Sequence, residues 1–184
     1  LTLAEVQLGQ AVVLDKVILP LMDQVGSLWK EGDLRIAHEH MATAMVSQHV
    51  GAMLLSHRYP ANAPAIVIST PAGQLHELGA MIAAVQAALE GWRPIYLGPS
   101  LPAEEIAGSA QQTGATAIAL SVVFPADDPR LTGEMARLRR LIGDQIPIIM
   151  GGSAAHAYQS ALLGAGITLV DDMHGLRIQL ALLR

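Results

Sequence analysis

One histidine, His76, stands in the stretch Thr70-Pro71-Ala72-Gly73-Gln74-Leu75-His76-Glu77-Leu78-Gly79, with a glycine three residues behind it. A neutral imidazole is the commonest protein ligand for a transition metal. Alone, a His in such a place also reads as a helix cap or a surface residue, so its chemistry depends on its company. Two further short stretches supply that company. Ser121-Val122-Val123 offers a hydroxyl. Gly151-Gly152-Ser153 lets a ligand or a neighbouring backbone come very close, because glycine has no Cβ. Near the N-terminus, Trp29, Glu39 and His40 combine a large flat apolar surface, a carboxylate acceptor and a second imidazole.

The elements that must position these residues fall into two halves. Residues 1–58 have helical periodicity. From Leu3 to Trp29, Val13, Val17, Leu21, Val25 and Leu28 are the expected buried face, and Pro20 is expected to kink or loosen the run. Glu31-Gly32-Asp33 breaks the helix, with Asp33 as the expected N-cap of a second helix over 34–56. Met41, Met45 and Leu55 are expected to point inward there. Residues 59–64, with two prolines and an Asn, read as a linker.

From Ala65 onward short apolar runs alternate with helical stretches. Strands are expected at 65–69, 94–97, 117–121, 147–150 and 167–170, each followed by a helix. Five such units imply an α/β fold with a parallel sheet flanked by helices on both faces. A doubly wound sheet binds ligands beyond the C-terminal ends of its strands. His76, Ser121 and Gly151-Gly152 all fall in the loops on that one rim.

The bulk composition narrows the classes. The chain has 184 residues, is 52% hydrophobic and only 15% charged, which suits a packed core and excludes disorder. The formal net charge is -5 and no basic patch or recognition helix stands out, so direct nucleic-acid binding by this chain is not expected. The absence of cysteine excludes disulfide and thiolate chemistry and is compatible with a reducing, cytoplasmic setting. No apolar run reaches the roughly 18–20 residues that span a bilayer.

His76 with Gly79, Ser121 with Val123, and Gly151-Gly152 resemble the three-part signature D-x-H-x-x-G, S-x-L and G-G of cobalamin (B12)-binding domains. The likeness covers residues 65–184 in order and spacing. It implies a flavodoxin/Rossmann-like domain that binds the cofactor base-off. His76 would then be the lower axial ligand of cobalt, with Ser121 and the glycines lining the slot for the cofactor's nucleotide tail. Two positions depart from the signature. Gln74 replaces the Asp, keeping an acceptor for the ring without the charge that raises imidazole basicity. Val123 replaces the Leu.

The N-terminal half resembles part of the helical-bundle cap of such proteins. Trp29, with Glu39 and His40 ten and eleven residues on, is similar to the light-sensing CarH/LitR-type regulators. That resemblance implies a Trp over the upper ligand of adenosylcobalamin or methylcobalamin and a Glu accepting from ribose hydroxyls. In that branch a His follows the Trp and binds cobalt after photolysis; here Lys30 stands there, and a protonated Lys has no lone pair to give. His38 or His40 is the expected substitute.

The resemblance therefore implies a light sensor in which photolysis of the cobalt–carbon bond drives a conformational or oligomeric switch. It would act as a homo-oligomer or through a protein partner, not as an enzyme. The chain is expected to be a truncated sensor core or a sensor whose output lies in another protein. The alternative is a corrinoid carrier for methyl transfer, which would favour an acidic residue at position 74. A cofactor-free receiver module would need clustered acids after the first strand, where this chain has Ser69-Thr70-Pro71.

Overall fold

A computed structural model describes residues 1–184, which divide into two compact units, Leu1–His57 and Arg58–Arg184. No helix is long and apolar enough to cross a membrane.

In the second unit five strands form one parallel sheet in the order β2-β1-β3-β4-β5. They are β1 (Ala65–Ser69), β2 (Arg93–Tyr96), β3 (Ala117–Ser121), β4 (Ile148–Gly151) and β5 (Ile167–Leu169). β1 and β3 are central and buried along their whole length, as expected of apolar runs covered on both faces. The crossovers are α5 (Leu78–Leu89), α6 (Ala103–Thr113), α7 (Leu131–Ile142), a 3₁₀ turn (Ala155–Tyr158) running into α8 (Gln159–Gly164), and the closing α9 (Met173–Leu182). Helices α5 and α9 pack together on one face of the sheet; α6, α7 and α8 form the other layer. The larger core cluster lies under that second layer. Val67, Ile118, Leu120, Ile148 and Met150 meet Ile106, Met135 and Leu138 there. On the first face Trp92, fully buried, donates its Nε1–H to the Leu180 carbonyl at 3.1 Å and pins α9 to the start of β2.

The strand order has a functional consequence. The chain leaves β1 toward β2 on one side, and leaves β3 toward β4 on the other. The loops after β1 and β3 therefore diverge and open a crevice at the switch point. Those are the loops that carry His76 and the residues following Ser121.

The first unit comprises α1 (Thr2–Leu8), α2 (Gln10–Val13), a π turn (Leu14–Ile18), α3 (Leu19–Glu31) and α4 (Ile36–Ser56). The expected loosening at Pro20 takes the form of that π turn. Pro20 cannot donate to the carbonyl four residues back, and the wider turn immediately before α3 accommodates the loss. The π turn also shifts the helical phase, which corrects the expected core face. Val13, Leu14 and Ile18 are buried; Val17, Val25 and Leu28 are only partly so, and Leu21 is exposed.

Asp33 is not an N-cap. Gly32 adopts a left-handed φ of 84° and the Asp33 N–H donates to the Leu28 carbonyl at 2.9 Å, so this residue closes α3. The next helix starts from an extended Arg35 without a side-chain cap. Met41, Met45 and Leu55 do not point inward. Val46, Val50 and Met53 form the buried stripe of α4, and Met45 is 64% exposed. Ala and Met on every side of α4 left the sequence without a strong amphipathic phase to read. Polar contacts also tie α1 and α2 to α4 and the residue that follows it: Glu5 lies 3.2 Å from His49, and Gln10 is 2.9 Å from His57.

Candidate functional site: the crevice between the first and third strand loops

His76 lies in an irregular segment two residues before α5, and the residue is exposed. The loop beneath it is held from several directions. The Thr70 hydroxyl donates to the Gln74 carbonyl and accepts from the Ser100 N–H at 2.8 Å. The Gly73 N–H donates to the Ser100 hydroxyl at 3.1 Å. Ser100 adopts a φ of 60°, costly for a residue with a side chain, and these two bonds require it. Gly73, at φ 87°, leaves room for the Asp128 carboxylate, which would sit 2.9 Å from any Cβ added there.

Gln74 departs from its expected role. It is 1% exposed, and its Oε1 accepts the N–H groups of Val123 and Phe124, each at 3.1 Å. Its Nε2 donates to the Pro125 carbonyl at 3.1 Å. An amide oxygen has two lone pairs, and both are taken. Gln74 therefore offers the His76 ring no acceptor. It bridges the crevice instead, joining the His76 loop to the loop after β3.

That loop brings up a residue the motif reading missed. Phe124 packs perpendicular to the His76 ring, with centroids 5.9 Å apart and planes at 86°. Phe124 is the chain's single phenylalanine and is 64% exposed. Reading the whole third rim loop, rather than only its signature letters, would have flagged it. Tyr158 fastens the same loop by donating to the Pro125 carbonyl at 3.2 Å and accepting from the Asp128 N–H at 2.7 Å. The Arg130 guanidinium bonded to Asp128 holds that carboxyl below the usual carboxylate range.

Ser121 closes β3 and is 6% exposed, yet its hydroxyl takes no intramolecular hydrogen bond. The neighbouring rim serine differs: Ser69 donates to the Gly98 carbonyl at 2.8 Å. Gly79 faces Ser121 across the contact between α5 and β3, where an added Cβ would meet the Ser121 Oγ at 2.6 Å. Neighbours fill the space beside the glycine that ends β4 and the one that follows it. A Cβ on Gly152, at φ 105°, would strike the Val122 carbonyl oxygen at 2.3 Å, and one on Gly151 would lie 3.1 Å from Val170 Cγ2. Gly152 thus serves the close approach of the β3 loop backbone. Its carbonyl and that of Val122 accept from the Ala155 and Ala154 N–H groups, at 3.0 and 3.1 Å. Val123 is half-buried, with its N–H committed to Gln74.

Beside His76, Glu77 accepts a hydrogen bond from the Tyr96 hydroxyl. Burial first, and then the Glu77 carboxylate, push the Tyr96 hydroxyl well above its ordinary value, so it stays protonated. Neither residue was singled out from sequence, because the pair joins residues 19 apart on different elements.

In the helical unit, Trp29 lies near the end of α3 with its side chain 45% exposed. Glu39 is in the first turn of α4, where its Oε1 accepts from the Thr43 hydroxyl at 2.8 Å. His40 Nδ1 is 3.7 Å from Glu39 Oε2, so Thr43 is the nearer support of this carboxylate. His38, His40 and Lys30 are exposed. Nowhere do three or more His, Asp or Glu side chains converge as a cage for a free ion. In the crevice between the loops after β1 and β3, the accessible imidazole is that of His76.

The chain matches the family described as "B12 binding domain" over residues 64–175, and a second family of that description over residues 4–53. It is 27% identical over 146 residues to the HTH-type transcriptional repressor CarH of Myxococcus xanthus, covering 79% of this chain and 48% of that protein. It is 25% identical over 158 residues to the repressor CarA of the same organism, covering 86% and 53%. The chain thus spans about half the length of the curated relatives it matches. Its fold is similar to that of the Methanosarcina barkeri monomethylamine corrinoid protein, with a TM-score of 0.66 at 13% identity over 88% of this chain and 78% of the other. An accessible imidazole at the switch point of a five-stranded parallel sheet, a helical unit before it, and matches over both units agree: this chain belongs to the B12 binding domain family.

Proposed function

We propose that the chain is a cobalamin-responsive sensor module, with His76 as the lower axial ligand of cobalt and the helical unit as the cover of the upper face. The observation that carries this reading is the pairing, on one rim, of an exposed imidazole with a serine hydroxyl that makes no hydrogen bond within the chain. Such a hydroxyl is free to donate to, or accept from, a ligand group that enters the slot. His76 and Ser121 therefore fit a corrinoid whose metal needs one protein nitrogen and whose tail needs a polar contact.

An alkylcobalamin, adenosylcobalamin or methylcobalamin, supplies a weak cobalt–carbon bond that visible light breaks. The remaining roles belong to the chain. Trp29 would present its exposed indole to the upper group and exclude water. Glu39, steadied by Thr43, would accept from ribose hydroxyls through Oε2. Lys30 cannot ligate cobalt, so His38 or His40 would take the position left by a departing upper group. The change in contact would alter self-association or the binding of a protein partner. The similarity to the repressors CarH and CarA supports a regulatory role over an enzymatic one.

The test is spectral. Adenosylcobalamin is added in the dark, the protein is desalted, and the visible spectrum is recorded before and after green light. Retained colour with a light-dependent change is expected, together with a dark-to-light shift in size-exclusion elution. Colour lost on desalting would overturn cobalamin binding. Retained colour without a light response would favour a methyl-group carrier, the reading to which the fold of the corrinoid protein is suited. His38→Ala and His40→Ala variants locate the ligand of the illuminated state.

A further inference from the structure

We propose that Phe124 is the positioning residue of the His76 imidazole, in place of the hydrogen-bonding carboxylate that position 74 lacks; this rests on His76 being the cobalt ligand. Three observations lead there. First, Gln74 cannot orient the ring, because its Oε1 already accepts from Val123 and Phe124. Second, those bonds and the one to the Pro125 carbonyl fix the backbone on both sides of Phe124. Tyr158 holds the same carbonyl from the other layer. Third, the ring so presented stands mostly in solvent, and its aromatic contact is His76, at 5.9 Å and 86°. That is the favoured perpendicular geometry of an aromatic pair.

The mode of positioning differs from a carboxylate's. A carboxylate takes one ring nitrogen and adds charge, fixing the tautomer and raising basicity. Phe124 restricts the ring's rotation and shields one side of it from water, and both nitrogens stay free of protein partners. The structure thus assigns Gln74 to the loop and Phe124 to the ring, each doing part of what one acidic residue would do.

The experiment uses the full chain labelled with [15N]histidine and loaded with cob(II)alamin. Electron paramagnetic resonance then distinguishes a protein imidazole on cobalt, a 15N doublet, from the cofactor's own base, a 14N triplet. In the unsubstituted chain the doublet is expected, and His76→Ala should abolish it. In Phe124→Leu the ratio of histidine-ligated to unligated cobalt should fall about three- to tenfold, the range that a perpendicular aromatic pair is worth. Phe124→Tyr, which keeps the ring, should restore it. An unchanged ratio in Phe124→Leu, with the doublet still lost in His76→Ala, overturns this inference alone. Absence of the doublet from the unsubstituted chain overturns His76 as ligand, and the inference with it. Circular dichroism checks the fold, and the exposure of Phe124 means that Leu there leaves no core cavity.

Discussion

Gly79 and Ser121 touch across the contact between α5 and β3: a Cβ added to the glycine would lie 2.6 Å from the serine Oγ and 3.7 Å from its Cβ. The spacing of the first motif therefore has a packing cause beside any ligand. Only a hydrogen at position 79 lets the helix that follows the His76 loop lie against the end of the strand that carries Ser121.

This relationship predicts a coupled pair of substitutions. Gly79→Ala should destabilise the protein by about 1–3 kcal/mol, the usual cost of overpacking. Ser121→Ala removes the offending oxygen and leaves an ordinary van der Waals contact. The double variant should then be more stable than the sum of the single effects allows, with a coupling of about 1 kcal/mol. Urea unfolding of the four proteins measures it, and strict additivity would show that the contact does not set the helix position.

Gly151, which ends β4, and Gly152, which follows it, should respond unequally. Gly152→Ala meets backbone, the Val122 carbonyl oxygen at 2.3 Å, in a left-handed φ that L-residues avoid. Neither conflict can relax without breaking the bond from Ala154 to Val122. A loss of about 3 kcal/mol or more, or failure to fold, is expected. Gly151→Ala meets the Val170 Cγ2 at 3.1 Å and its carbonyl oxygen only at 3.4 Å, and should cost about 1 kcal/mol. Equal thermal shifts in the two variants would contradict this division.

Much of the sheet domain was legible because its elements are locally encoded. Ala65–Ser69 and Ala117–Ser121 are short apolar runs bounded by turn residues, and both strands begin and end where the sequence places them. The rim loops followed from the alternation of strands and helices, which puts the loop after each strand on one edge of a parallel sheet. The helical unit was less legible, since the π turn before Pro20 moves the buried face from Val17 and Leu21 to Leu14 and Ile18. At the site, residue types and positions were readable but partners were not. Gln74 meets groups about 50 residues away, and no spacing rule distinguishes an amide that faces an imidazole from one that faces a backbone loop.

The commitment of Gln74 to that loop makes its own prediction. Gln74→Ala leaves the Val123 and Phe124 N–H groups without their partner, while the Pro125 carbonyl keeps only its bond from Tyr158. A cost of about 1–3 kcal/mol is expected. Amide hydrogen exchange locates it. Val123 and Phe124 should exchange faster while the amides of β1 and β3 keep their protection. Unchanged exchange at both residues would mean that the loop holds itself.

Asp128 ties the far end of the same loop to pH. Its carboxyl bonds the Arg130 guanidinium and backbone N–H, and those bonds hold its folded value below the ordinary 3.8. For a depressed carboxyl the sign is fixed. The stabilisation is complete above the unfolded value and is lost as pH falls through the folded one. Asp128→Asn should therefore be less stable than the unsubstituted chain at neutral pH, and the difference should close below about pH 4. Thermal melts from pH 7 to pH 3 measure it. The same substitution bears on the crevice, because the carboxylate also packs against Gly73 in the loop below His76. A widening gap at low pH would show that the Arg130 pair does not hold the loop. A closing gap would identify Asp128 as the acid-sensitive fastening of the β3 loop that presents Phe124.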